Sequence, residues 1–176
     1  EILSLDTMAF TPGPTMSAPR CGCAAVALDE HRIMLAGGQS LTVPLQRPGS
    51  TLDGDDFDVV FLNTTEILDI RTMSFVPGPS MSSERDGCAA VPVDAQHVLV
   101  IGGQDSASTL LATTELLDVA TMAFEPGPAM PTARSGVAAT RLGGAEGAPR
   151  ILVLGGGVST TAVIAVEAQT GARRRQ

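Results

Sequence analysis

One ten-residue phrase is written three times along this chain, closing at Met16, Met81 and Met130. The copies begin at Thr7, Thr72 and Thr121. All keep a Thr-Met pair, a Phe, a Pro-Gly-Pro and the final Met. Four residues after each copy stands an arginine (Arg20, Arg85, Arg134), then a glycine and an Ala-Ala pair. The following apolar run ends on a double glycine: Gly37-Gly38, Gly102-Gly103 and Gly155-Gly156. No other feature constrains the fold as much. A unit of this size cannot bury its own apolar face, so successive units must stack to make a core.

The register locates the irregularities. Phe75 and Phe124 are 49 residues apart, as are Glu66 and Glu115, whereas Phe10 and Phe75 are 65 apart. The first interval therefore carries an insertion of 16 residues, assigned to the acidic stretch 40–58. The last Gly-Gly interval is 53 residues, and the extra four fall between Ala139 and Arg150, in a turn-rich stretch that suits a lengthened hairpin.

Each unit reads as four short strands. The first is an apolar run closed by an acid, over Ile2–Asp6, Ile67–Ile70 and Leu116–Val119, which pairs Leu5-Asp6 with Leu68-Asp69 and Leu117-Asp118. The second surrounds Phe10, Phe75 or Phe124 and must stop at Pro-Gly-Pro, because proline has no ladder donor. The third follows the arginine and the fourth precedes the double glycine. Short runs punctuated by Gly, Pro, Asp and Ser are all-β signals, and no window holds a 3.6-residue period.

An apolar strand before Gly-Gly, a strand ending in Asp, an aromatic, and an arginine about ten residues later resembles the kelch repeat, whose units of about 50 residues each form one four-stranded propeller blade. The resemblance covers nearly the whole chain: repeats over about 1–39, 66–104 and 115–157, a partial one over 160–172, and a basic tail at 173–176. It departs from the family where Phe10, Phe75 and Phe124 replace the usual outer-strand tryptophan and leucine replaces the usual tyrosine; the chain has no Trp and no Tyr.

The fold expected is thus all-β, with kelch-type β-propeller blades of four-stranded antiparallel sheets in an incomplete wheel or half-wheel. The resemblance places the strand after the arginine innermost, then the Gly-Gly strand, then the Asp strand, then the Phe strand. In that phase 21–77 and 86–125 are complete blades, and about thirteen strands are expected in all. Propellers have roughly four to eight blades. The chain is then either a segment of a longer protein or one half of a homodimer that closes the ring.

Composition narrows the partners. The net charge is −8, with 11 basic residues that are all arginine, which disfavours nucleic acid and anionic membranes. Three cysteines do not make a disulfide framework. Cys23 and Cys88 share a position that Val137 fills, which marks a small buried apolar site. His31 and His97 lie at hairpin turns, and Arg32, His97 and Arg150 share one position. Asn63-Thr64-Thr65 fits a glycosylation acceptor.

Two groups are candidate sites. Arg20, Arg85 and Arg134 open the innermost strand, and the resemblance would ring one face of the channel with them. There they would bind an acidic segment of another protein, or else brace neighbouring blades. Asp53, Asp55, Asp56 and Asp58 in the insertion could hold calcium through oxygen ligands, or form a solvated acidic tip. Asp6, Asp69 and Asp118 recur in every unit and are expected to cap turns. No catalytic constellation is present and no cofactor is expected. The reading is a non-enzymatic protein-protein interaction module acting through inter-strand loops. The alternative is a segment of a kelch-like propeller enzyme whose catalytic residues lie elsewhere.

Overall fold

A computed structural model of the chain describes residues 1–42, 58–143, 150–156 and 162–165. The protein is all-β. Strands β1 (Ile2–Ser4) and β2 (Ala9–Thr11) form an antiparallel pair. A first complete blade follows, built in order from β3 (Ala24–Ala27), β4 (Arg32–Ala36), β7 (Thr65–Asp69) and β8 (Ser74–Pro77). Between β4 and β7, β5 (Gln39–Thr42) and β6 (Asp58–Phe61) pair with each other as a separate ribbon. The second blade is β9 (Ala89–Pro92), β10 (His97–Ile101), β11 (Thr114–Asp118) and β12 (Ala123–Pro126). The third sheet holds β13 (Val137–Leu142), β14 (Arg150–Gly155) and β15 (Ala162–Ala165). Every pairing is antiparallel between strands consecutive within the unit, as short hairpin connections require.

The strand order in each blade matches the expected phase. Two details do not. The sequence suggests about thirteen strands, and fifteen are present among the described residues, because the root of the insertion is itself a ribbon. The second blade explains it. There, isolated bridges join Asp86 to Gln104 and Gln104 to Leu110, a hairpin in rudimentary form. In the first blade Cys21–Gln39 matches Asp86–Gln104, and Gln39–Phe61, the match of Gln104–Leu110, is extended by the insertion into four paired residues.

The second correction concerns register. Leu68 and Leu117 lie opposite Phe75 and Phe124, but it is Leu3, not Leu5, that lies opposite Phe10. The first-copy counterpart of Asp69 and Asp118 is therefore Ser4, and Asp6 falls two residues beyond it. The chemistry is conserved in kind. Asp118 Oδ1 accepts from the N–H groups of Ala120 and Thr121 at 2.8 Å, Asp69 Oδ1 from that of Arg71 at 2.8 Å, and Ser4 Oγ from that of Thr7 at 3.3 Å. These caps hold tight turns in which Met8, Met73 and Met122 adopt φ of 53°, 51° and 54°. That conformation strains a non-glycine residue unless the surroundings fix it.

The cores lie between blades. Along β10, Val98 and Val100 face a cluster with Val26, Met34, Ala36 and Ile67 of the first blade. Leu99 and Ile101, the alternate residues, face a second cluster with Ile151 and Val153 of the third sheet. A strand buried on both faces reads as an unbroken apolar run rather than an alternating one, which is why His97–Ile101 lacks polar spacing. The phenylalanines are less uniform: Phe124 packs against the first cluster, whereas Phe10 is exposed.

Because Leu99 is wholly buried at the centre of the second cluster, Leu99→Ala should lower the unfolding free energy by about 2–5 kcal/mol. A urea titration followed by circular dichroism reads this as a lower midpoint at unchanged slope.

Candidate functional site

The connections that pass from the outer strand of one unit to the inner strand of the next carry the arginines. After β8 the chain turns at Pro77-Gly78-Pro79 and lies against the start of β7. Gly78 N–H donates to Thr65 O at 2.9 Å, Thr65 Oγ1 donates to Pro79 O at 2.7 Å, and Met81 N–H donates to Asn63 O at 2.8 Å. A Cβ on Gly78 would collide with the Thr65 hydroxyl, so the tripeptide needs its glycine. The same contacts recur after β12, with Gly127, Thr114, Pro128 and Met130. Met81 and Met130 then enter the first and second core clusters.

The segment next reaches Arg85, which is 1% exposed. Its Nε donates to Glu115 Oε1 at 3.1 Å, Nη1 to Gly102 O at 2.8 Å and Thr113 O at 3.0 Å, and Nη2 to Thr113 Oγ1 at 2.9 Å. All of these partners belong to the second blade. The backbone of Arg85 bonds to the first: its N–H donates to Leu62 O at 3.2 Å, and its carbonyl accepts from Gly38 N–H at 2.8 Å. One residue therefore ties two blades together. Arg20 repeats the arrangement with Glu66 at 2.9 Å, Gly37 and Thr64. Arg134 is equally buried and donates from Nη1 to Gly155 O at 2.9 Å.

The three arginines expected to ring a binding face are thus placed as internal braces, with their guanidinium groups inside the protein and withheld from an acidic ligand. Their carboxylate partners, Glu66 and Glu115, were not singled out as site residues from the sequence. The usable signal was that Glu66 and Glu115 recur at one repeat position, as the arginines do. Glu66 shows the electrostatic balance. Burial works to raise its carboxyl, but the Ser17 N–H at 2.8 Å and Arg20 overrule it and hold it below the ordinary 4.5.

The other expected features are dispersed. Asp53, Asp55 and Asp56 lie outside the described residues, and Asp58 opens β6. Among the described residues no three His, Cys, Asp or Glu side chains gather to hold a metal ion. His97 Nδ1 lies 2.9 Å from Asp94 Oδ1 at an exposed turn, at the end of the blade away from the double glycines. Cys88 is buried, and desolvation pushes its thiol up to about 11, which makes it a packing residue rather than a nucleophile. Asn63 Nδ2 donates inward to Met81 O at 3.2 Å, so the nitrogen that would carry a glycan holds a crossing segment instead.

Among the residues left outward on this end of the blades are several large apolar ones. On the ribbon, Leu41 is 51% exposed and Val59 and Val60 are each 46% exposed; Leu110, on the matching connection of the second blade, is 46% exposed. A groove of about 440 Å³ runs between the crossing segment at Ser80–Ser83 and the outer part of the second blade at Phe124–Gly127. Compared with known proteins, the chain matches no protein-family model and no curated protein.

Removing one member of a buried ion pair leaves the other charge uncompensated, at a cost of about 3–5 kcal/mol. Glu115→Ala should therefore destabilise the protein by that order in chemical denaturation, whereas Arg71→Ala, which opens the exposed pair with Asp69, should leave stability nearly unchanged. The sign for Glu66 follows from its lowered value: its contribution is complete above pH 4.5 and is lost as pH falls through the depressed folded value. Glu66→Gln should flatten that acid limb in a series of thermal melts.

Proposed function

We propose that this chain is an interaction module built on kelch-type propeller blades, and that it binds another protein through the β5–β6 ribbon and the neighbouring connection at Leu110. The inner-to-outer strand order and the recurrence of the Phe, Asp, Arg and Gly-Gly positions support the family reading. The observation that carries the functional reading is the ribbon itself. Its Leu41 and Val59 lie opposite each other and, like Val60, are about half exposed, and apolar exposure grouped in this way marks binding surfaces. The recurring polar residues at the same end are engaged in bracing, which leaves recognition to residues that differ between copies. A two-stranded ribbon also offers backbone groups for strand addition, with alternate side chains to set specificity.

The test is to select peptides against the intact chain from a random display library and then challenge the binders with Val60→Asp and Leu41→Asp variants. Both positions are exposed, so the variants should melt with the parent while losing the selected binders at least tenfold. Selection that enriches no peptide, or binders indifferent to both substitutions, would overturn the reading.

A further inference from the structure

We infer that Asp86 is a proton-dependent clasp between the first two blades: its carboxyl, when protonated, donates a hydrogen bond to the backbone carbonyl of Cys21.

The argument rests on equivalence between successive seams. The residue after each bracing arginine is Cys21, Asp86 or Ser135, and each is followed by a glycine, Gly22, Gly87 or Gly136, with φ of 65°, 68° and 69°. The backbones meet identically at both seams. Gly87 N–H donates to Gly22 O at 2.9 Å, and Gly136 N–H donates to Gly87 O at 2.8 Å. The side chains do the same. The position a Cβ would take on Gly87 is filled by Ser135 Oγ, and the position a Cβ would take on Gly22 is filled by Asp86 Oδ1. Asp86 Oδ1 in the first seam therefore occupies the place of Ser135 Oγ in the second.

In the second seam the hydroxyl has a partner. Ser135 Oγ donates to Asp86 O at 2.9 Å, the carbonyl just before Gly87. The corresponding carbonyl of the first seam, just before Gly22, is that of Cys21. An ionised carboxylate cannot donate to it, because both oxygens are then acceptors. Asp86 Oδ1 is buried and has no hydrogen-bond donor among the described residues. A buried acceptor with no donor is unfavourable, and a proton on it would supply the kind of bond that Ser135 makes.

The surroundings favour the neutral form. Burial raises the Asp86 carboxyl above the ordinary 3.8, with only the Gly87 N–H working the other way. The titratable groups described near this seam are thiols, Cys21 and Cys23 on the lead into β3 and Cys88 on the lead into β9, together with the Arg20 guanidinium, which acts on Cys23. Arg85, adjacent in sequence, directs its guanidinium into the second blade. Ser135 and Gln104, which complete the seam, do not titrate. Since the folded value lies above the unfolded one, the stability from this clasp is complete below pH 3.8 and is lost as pH rises through the folded value. This is opposite in sign to Glu66.

Asp86→Ser installs the third copy's chemistry and supplies a donor at every pH. Melting temperatures of the full chain and this variant should agree at pH 4 and diverge toward pH 8, with the variant a few degrees higher. Parallel curves would overturn the inference. A second measurement does not depend on the variant folding: carbon NMR of aspartate carboxyls in the unaltered chain, with Asp86 titrating above the ordinary range. A value at or below 3.8 would overturn it equally.

Discussion

The buried Arg–Glu pair is the interaction on which the rest of this architecture depends. A stack of small sheets has apolar faces to bury, but burial is non-directional and does not fix how one sheet sits on the next. The segment from the outer strand of one unit to the inner strand of the next must cross that junction with its backbone groups satisfied. Arg85 does this by bonding through its backbone to Leu62 and Gly38 of one blade and through its guanidinium to Gly102, Thr113 and Glu115 of the next. A planar five-donor group suits the task, because it serves two carbonyls, a hydroxyl and a carboxylate at once. Lysine at this position would leave several of those acceptors empty, and the chain contains no lysine.

Around that brace the repeat divides its residues by role. Pro-Gly-Pro sets the entry of the crossing segment, the following Met anchors it in the inter-blade core, and the arginine locks it. Gly37 and Gly102 complete the arrangement: each has positive φ and its carbonyl accepts from the guanidinium. A frame this heavily determined tolerates change only where the chain leaves it. The insertion after Gln39 exploits that freedom, lengthening a connection that the second blade keeps short.

Much of this was legible in the sequence because repetition supplied the comparison that a single copy lacks. The turn role of Asp69 and Asp118 and the apolar site shared by Cys88 follow from aligned positions, while the strand order follows from the kelch resemblance that those positions carry. Three things were not legible. The register of the first unit slipped, because Leu5-Asp6 mimics the Leu-Asp of the later copies while the structure uses Leu3 and Ser4. The ribbon β5–β6 was read as loop, since its strands flank a stretch whose acidic residues dominate the local composition. The partners of the arginines lay 46 and 30 residues away, and a buried charge looks the same in sequence as an exposed one until its burial is known.

The seams show why recurrence and function must be weighed position by position. The bracing arginine is the same in all three copies, yet the residue beside it is cysteine, aspartate or serine. Asp86 and Ser135 sit at one structural station, over the glycine of the preceding unit, and differ in what they can donate. A serine makes the bond at any pH. A carboxyl makes it only when protonated. A thiol is a weak donor. The frame therefore holds the blades with pH-insensitive guanidinium groups while one adjacent station, Asp86, is free to respond to acidity. Glu66, on β7 of the first blade and held ionised by Arg20 and Ser17, contributes stability that is lost as pH falls. The two carboxyls act in opposite directions: the Glu66 contribution falls away with acid, and that of Asp86 falls away with base.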